Sequence, residues 1–119
     1  MSLRSRRRVL IARPFLIVRA AIQDERMEEF VAWYEREHLP HVMSIPGIIK
    51  AYRSTCHRRG INWTAVYMLK DEASVQTAIS SEQADVARRD WETWLPHVSE
   101  LSVEVYAPLS PMNSFHHWN

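Results

Sequence analysis

The apolar positions of this chain change period along its length, and each change marks an element. From Phe15 to Ile22 they alternate. Leu16, Val18, Ala20 and Ile22 point one way; Phe15, Ile17, Arg19 and Ala21 point the other, which is the two-residue period of a strand. From Asp24 the period lengthens. Phe30, Trp33, Tyr34, Glu37, His38 and His41 fall at i, i+3, i+4, i+7, i+8 and i+11, one face of an α-helix, and Met27 and Val31 join its core stripe. Asp24 is the expected N-cap, and Glu25, Glu28 and Glu29 suit the positive end of the helix dipole. Pro40 cannot continue a helix without losing a backbone hydrogen bond, so the helix is expected to run to about Leu39 and bend at Leu39-Pro40. Pro46-Gly47 then signals a turn.

Alternation returns from Ile48 to Cys56, with Tyr52 and Ser54 on one face and Ala51, Arg53 and Thr55 on the other. It recurs from Asn62 to Leu69, where Trp63, Ala65, Tyr67 and Leu69 oppose Thr64, Val66 and Met68. The basic turn His57-Arg58-Arg59-Gly60 between them reads as a hairpin. Asp71 is expected to cap a short helix with Val75, Ala78 and Ile79 inward. Ser80 and Gln83 have capping-box spacing and open a further helix, whose inner positions are Ala84, Ala87, Trp91, Trp94 and Leu95 up to Pro96. Leu101 to Tyr106 is the last strand. The order β-α-β-β-α-β predicts an α+β fold of ferredoxin-like kind, a four-stranded antiparallel sheet with the helices on one face. Because the strands are apolar on both faces, the second face should be covered too. A second copy, packed sheet against sheet about a two-fold axis, is the simplest cover and makes a dimeric α+β barrel.

Length and composition narrow the class. The chain has 119 residues, 46% hydrophobic and 24% charged, ordinary for one globular domain. That domain is expected over residues 15–109, between a basic leader (1–14) and a tail (110–119) that ends in Phe115-His116-His117-Trp118. The leader is not expected to act as a secretory signal, since Val9-Leu10-Ile11-Ala12 is cut short by Arg13-Pro14. No run reaches the length of a membrane span. The formal net charge is +1, but residues 1–13 carry five Arg and no acid, which leaves ten basic against fourteen acidic residues in the remainder. An acidic body argues against a nucleic-acid partner. Two glycines exclude a glycine-rich phosphate loop, and one cysteine, Cys56, excludes an internal disulfide or a Cys-based zinc site. A reducing, cytoplasmic setting is expected. Twelve aromatics, five of them Trp, are a heavy load for so small a domain.

The candidate chemistry lies where the first helix meets Pro40. A helix face that ends in an acid and two histidines suits a pocket rim better than a pure core. His38 and His41 are the expected catalytic residues, since imidazoles act as acid or base near neutral pH. The alternative role for His38 is to cap helix carbonyls and fill space. Glu37, His38 and His41 fall one ligand short of a comfortable metal site unless Glu35 joins, and the spacing is not HExxH, so no metal is expected. Trp33, Tyr34, Tyr52, Trp63, Tyr67, Trp91 and Trp94 divide between core and pocket wall, with Tyr52 and Tyr67, on adjacent strands, as hydrogen-bonding candidates. Arg19 and Arg53 would hold a carboxylate or enolate, or else form salt bridges. Asp90 and Glu92 read as exposed helix charge rather than as a carboxylate base. GxSxG is absent, so no nucleophile elbow is expected.

The phrase WYEREHLPHVMSIPGI (33–48), with WLPHVSELSVEVYAPL (94–109) near the end, resembles the EthD-like group of small dimeric α+β-barrel proteins over about residues 15–109. The resemblance implies a homodimer with a mainly apolar pocket for a small, aromatic or polyketide-like molecule, with His38 at the histidine position that commonly lines it. It implies no single activity, since the group includes lyases, isomerases, decarboxylases and cofactorless oxygenases. The expected function is His-based acid/base chemistry of lyase, isomerase or cyclase type without a cofactor. The alternatives are a monooxygenase of the same fold, cofactorless or with haem on an axial histidine, and a non-catalytic binder of small apolar ligands.

Overall fold

The computed structural model describes residues 13–54 and 59–106. The hairpin turn at His57, Cys56 itself, the leader up to residue 12 and the histidine-rich tail lie outside the described residues. Four strands, β1 (Phe15–Ile22), β2 (Ile48–Ser54), β3 (Trp63–Leu69) and β4 (Val98–Tyr106), form one sheet in the order β2-β3-β1-β4, and every neighbouring pair is antiparallel. The helical segments follow β1 and β3, so the ferredoxin-like order is present. Among the described residues no helix is long and apolar enough to cross a membrane.

Register sorts the side chains into two faces. Leu16 lies between Tyr67 and Val105, Val18 between Ala65 and Val103, and Ala20 between Trp63 and Leu101. These rows carry the buried core and face the helices. The opposite face carries Phe15 beside Met68 and Tyr106, and Ile17 beside Val66 and Glu104. On β2, Ala51 pairs with Tyr67 while Tyr52 pairs with Val66. Successive strand residues point to opposite faces, so Tyr52 belongs to the open face, where it is exposed. The open face is apolar in its middle, with Arg19 paired to Glu104 across it.

The first helix departs from the expected stop at Leu39. A tight turn (Asp24–Arg26) leads into α1 (Met27–Trp33), the helix widens over Tyr34–His38, and α2 continues through Leu39–Met43. Leu39 N–H bonds the Tyr34 carbonyl five residues back, the pattern of a π-turn. The widening answers Pro40, whose ring would otherwise press on the carbonyl four residues earlier and which has no N–H to give. It also changes which residues share a face. Phe30, Tyr34, His38 and Val42, spaced by four, are buried, whereas Glu37 and His41 are exposed. A wide turn carries a four-residue spacing that an ideal α-helix would let drift around its axis.

The caps shift by a residue or two. Asp24 sits inside the first turn and Gln23 precedes it without a side-chain cap, because Asn62 is drawn into that corner, pairing with the Ile22 backbone at 2.7 and 2.8 Å. Asp71 caps as expected, accepting the Ser74 N–H at 2.8 Å at the start of α3 (Ala73–Ile79). Ser81, rather than Ser80, caps α4 (Glu82–Asp90) by accepting the Ala84 N–H at 3.1 Å. Ser80 instead donates to the Gln76 carbonyl at 2.7 Å and closes α3. Single tight turns, Trp91–Thr93 and Leu95–His97, carry Trp91 and Trp94 into the core, while Leu95 stays half exposed. Phe30 is fully buried, and the rings of Trp33, Tyr34, Trp63, Trp91 and Trp94 surround it with centroids 5.1–5.6 Å away. Much of the aromatic load is thus one cluster that clamps the helices onto β3.

Candidate active site

Between the helix-facing rows of the sheet and α2, α3 and α4 lies a cavity of about 140 Å³. Its walls are aliphatic: Leu16, Val18, Val42, Ile45, Ile48 and Leu69 are among them. Three predicted residues join that wall, His38, Tyr67 and Trp91. The cavity opens toward the β4 edge, where Val103 and Val105 are exposed and Arg88 stands at the rim. Its volume is close to that of the dry apolar cavity of about 150 Å³ that accepts benzene in another protein.

His38 is the polar group best placed to act there. The π-turn directs it inward, and it is 3% exposed. Trp33 stacks on its ring at 5.2 Å and 10°, while Tyr34 and Trp91 meet it edge-on at 4.8 and 5.7 Å. His38 Nδ1 lies 2.8 Å from Asp90 Oδ2, and His41 Nδ1 lies 2.7 Å from the same oxygen. An ionised carboxylate only accepts hydrogen bonds, so both imidazoles present Nδ1–H to it. His38 Nε2 is then the nitrogen left with a lone pair to meet a ligand. Asp90 is the last residue of α4, where the helix dipole disfavours an anion; the two imidazole donors offset that.

Burial is the main influence on the His38 imidazole and pulls its pKa below the ordinary value. Asp90 opposes this by hydrogen bond and charge, and His41 adds to it. His38 is therefore a neutral base at neutral pH. The Tyr34 and Tyr67 hydroxyls are hydrogen-bonded to each other beside the same wall. Burial pushes Tyr34 up to about 12, and Tyr67, buried against it, is pushed up further. Both stay protonated across the physiological range.

The predicted residues therefore separate. His38, Tyr67 and Trp91 line the cavity, and Trp33 and Tyr34 brace His38 from behind. His41 is exposed on the outer side of Asp90, 47% accessible. Trp63 and Trp94 are core, packed on Phe30. Arg53 lies over the Trp63 ring at 4.6 Å, at a shallow groove with Glu28, Glu35 and Arg36, away from the cavity. Tyr52, expected beside Tyr67 as a hydrogen-bonding candidate, is on the opposite face of the sheet and does not line the cavity. Asp90 is the residue the sequence reading passed over. Its signal was weak: three residues beyond Ala87, it sits on the edge of the inner stripe of α4. Among the described residues no cluster of three or more His, Cys, Asp or Glu side chains could hold a metal ion. Haem, if bound, would take its iron ligand from His38, the imidazole on the cavity wall.

No family model and no curated protein matches the chain. Solved structures do. An EthD family protein from Bacillus halodurans superposes with a TM-score of 0.63 at 15% identity, over 83% of this chain and 99% of the other. A conserved protein from Methanosarcina mazei gives 0.58 at 15% identity, over 82% and 93%. A cofactor-independent oxygenase from Streptomyces nogalater gives 0.50 at 9% identity, over 86% and 98%. At such identities the likeness concerns architecture, and on that level the EthD-like resemblance of residues 33–48 is met: the chain has the ferredoxin-like α+β fold of these proteins.

Proposed function

We propose that this chain is a small-molecule enzyme in which His38 acts as general base and then general acid on a ring-sized apolar substrate, in chemistry of lyase, isomerase or cyclase type. The observation that carries the reading is the buried imidazole on the cavity wall, its Nδ1 held 2.8 Å from Asp90. Asp90 fixes the tautomer and stabilises the imidazolium formed when Nε2 takes a proton. Positioned bases of this kind contribute about 10²–10⁴ in rate. The apolar walls exclude water and strengthen the attraction between the developing charges. The cavity volume favours a single ring, or one ring of a longer molecule that projects past Arg88, over a fused polycycle.

The test uses deuterium. In D₂O, the protein should speed exchange at the acidic C–H of a ring-sized carbon acid such as cyclohexanone or 1,3-cyclohexanedione. The His38→Gln protein should lose that acceleration by about 100-fold or more. Equal exchange rates in the two folded proteins would remove His38 as the base, and a compound co-purified and released unchanged would favour the binding reading instead. A second reading, cofactor-independent oxygenation, is supported by the likeness to the Streptomyces nogalater oxygenase. It begins with the same proton abstraction and differs in consuming O₂, so an oxygen electrode separates the two. In either case the open sheet face, which carries Phe15, Ile17, Arg19, Val66 and Tyr106, is the surface on which a second copy would pack.

A further inference from the structure

The Tyr34–Tyr67 pair poses a question of proton count. Two phenols share one hydrogen bond, which uses one of their two hydrogens. The other needs an acceptor, because an unpaired buried O–H is costly. There are two arrangements. If Tyr67 donates, the spare hydrogen is on Tyr34, enclosed by the rings of Phe30, Trp33, His38, Trp63 and Trp91, where among the described residues the Tyr34 hydroxyl has no hydrogen-bond partner other than Tyr67. If Tyr34 donates, the spare hydrogen is on Tyr67, which lines the cavity. Trp63 favours the second arrangement. Its indole N–H is buried with no partner at standard hydrogen-bond geometry among the described residues. Its ring lies 4.7 Å from that of Tyr34, so the Tyr34 oxygen is kept available to accept by sending its own hydrogen toward Tyr67.

We propose that Trp63, Tyr34 and Tyr67 form a directed donor chain that ends in a Tyr67 O–H aimed into the cavity, and that the site therefore selects a neutral, ring-sized carbonyl compound. The inference rests on the reading of this cavity as the substrate site and adds the substrate class to it. The walls contact the ring and Tyr67 donates to its carbonyl oxygen. His38, which lines the same cavity, meets the hydrogens on the adjacent carbon. The same O–H would stabilise the oxygen as it becomes an enolate, when His38 Nε2 takes the C–H proton and that electron pair moves onto the carbonyl. Tyr67 then returns to its starting state, because it lends a hydrogen bond and keeps its proton.

The experiment compares two ligands of one shape, cyclohexanone and methylenecyclohexane, by chemical-shift titration. In the wild-type protein the ratio of the methylenecyclohexane Kd to the cyclohexanone Kd should exceed that in Tyr67→Phe by about five- to tenfold, the worth of one hydrogen bond. His38→Gln should leave the ratio unchanged while abolishing deuterium exchange. Loss of the ratio thus reports on the donor, and loss of exchange on the base. The C=O stretch of cyclohexanone bound to the wild-type protein should lie below its value in hexane, a readout that needs no variant. A ratio unchanged in Tyr67→Phe, a stretch equal to that in hexane, or tighter binding of cyclohexanecarboxylate than of cyclohexanone would each overturn the proposal, the last by making Arg88 the selecting group.

Discussion

At the scale of single residues, the site is one carboxylate between two imidazoles, and the three are not equivalent. His38 is buried and His41 is on the surface, yet both compete for Asp90 Oδ2. His41 depresses the basicity of His38, so His41→Gln should raise the His38 pKa toward its ordinary value, about 6.5. Asp90→Asn removes the group that opposes burial and should lower it further. It should also release the tautomer, because an amide offers either a donor or an acceptor to Nδ1. Both outcomes can be read from ¹⁵N shifts of the ring nitrogens across pH 4–8. His38 itself was legible in the sequence, as an imidazole on the apolar face of a helix. Its partner was not. Asp90 is 52 residues away, and an aspartate at a helix end reads as solvated charge until another element is packed against it.

Elements were legible wherever one local rule decided them. The strands follow from two-residue alternation. Gly47 follows from the turn, with φ at +97° and a Cβ there 2.9 Å from that of Ser74. Gly47→Ala should therefore destabilise by about 1–3 kcal/mol, measurable as a lower urea midpoint. Pro40 shows where local rules stop. Proline ends most helices, but here the chain keeps helical geometry by widening the turn before it. The gain comes from burying Tyr34, His38 and Val42 against the sheet and α4, contacts that no local window contains. Phe30 ties that helix to the remaining elements through five aromatic neighbours. Phe30→Ala should cost about 3–5 kcal/mol and lower Tm, the largest effect expected of any single truncation in the helix. Tyr52 illustrates the opposite error. Its strand was legible, but the pairing register with β3 was not, and a register offset of one residue decides which face a side chain takes.

For the molecule as a whole, the buried titratable groups set a pH window for stability. The His38 pKa is lower folded than unfolded. As pH falls below about 6.5 the unfolded chain takes up a proton that the native state resists, and stability declines. Tyr34, raised to about 12, and Tyr67, raised further, act at the other end. Above about pH 10 the unfolded chain releases protons that the native state retains, and stability declines again. Urea midpoints should form a plateau between these limits, with the acid limb shallower in His38→Gln and the alkaline limb shallower in Tyr34→Phe. The open sheet face gives a prediction about assembly. If a second copy covers it, light scattering should report twice 14.0 kDa, and Ile17→Asp should return the single-chain mass with the cavity intact. A single-chain mass for the unaltered protein would refute the dimer.

The order of strands and helices, the strand alternation, the turn at Pro46-Gly47 and an imidazole on the apolar face of the first helix were all settled by the amino-acid sequence. Each depends on φ/ψ limits and side-chain period within a few residues. Tertiary structure alone decided that Asp90 faces both histidines, that Tyr34 and Tyr67 meet while Tyr52 turns away, and that an apolar chamber forms between the sheet and the helices. Those outcomes depend on the register between strands, on a widened turn sustained by burial, and on the packing of α4 over the sheet. Such contacts join residues far apart in the chain, and their energies exist only once the chain has closed on itself.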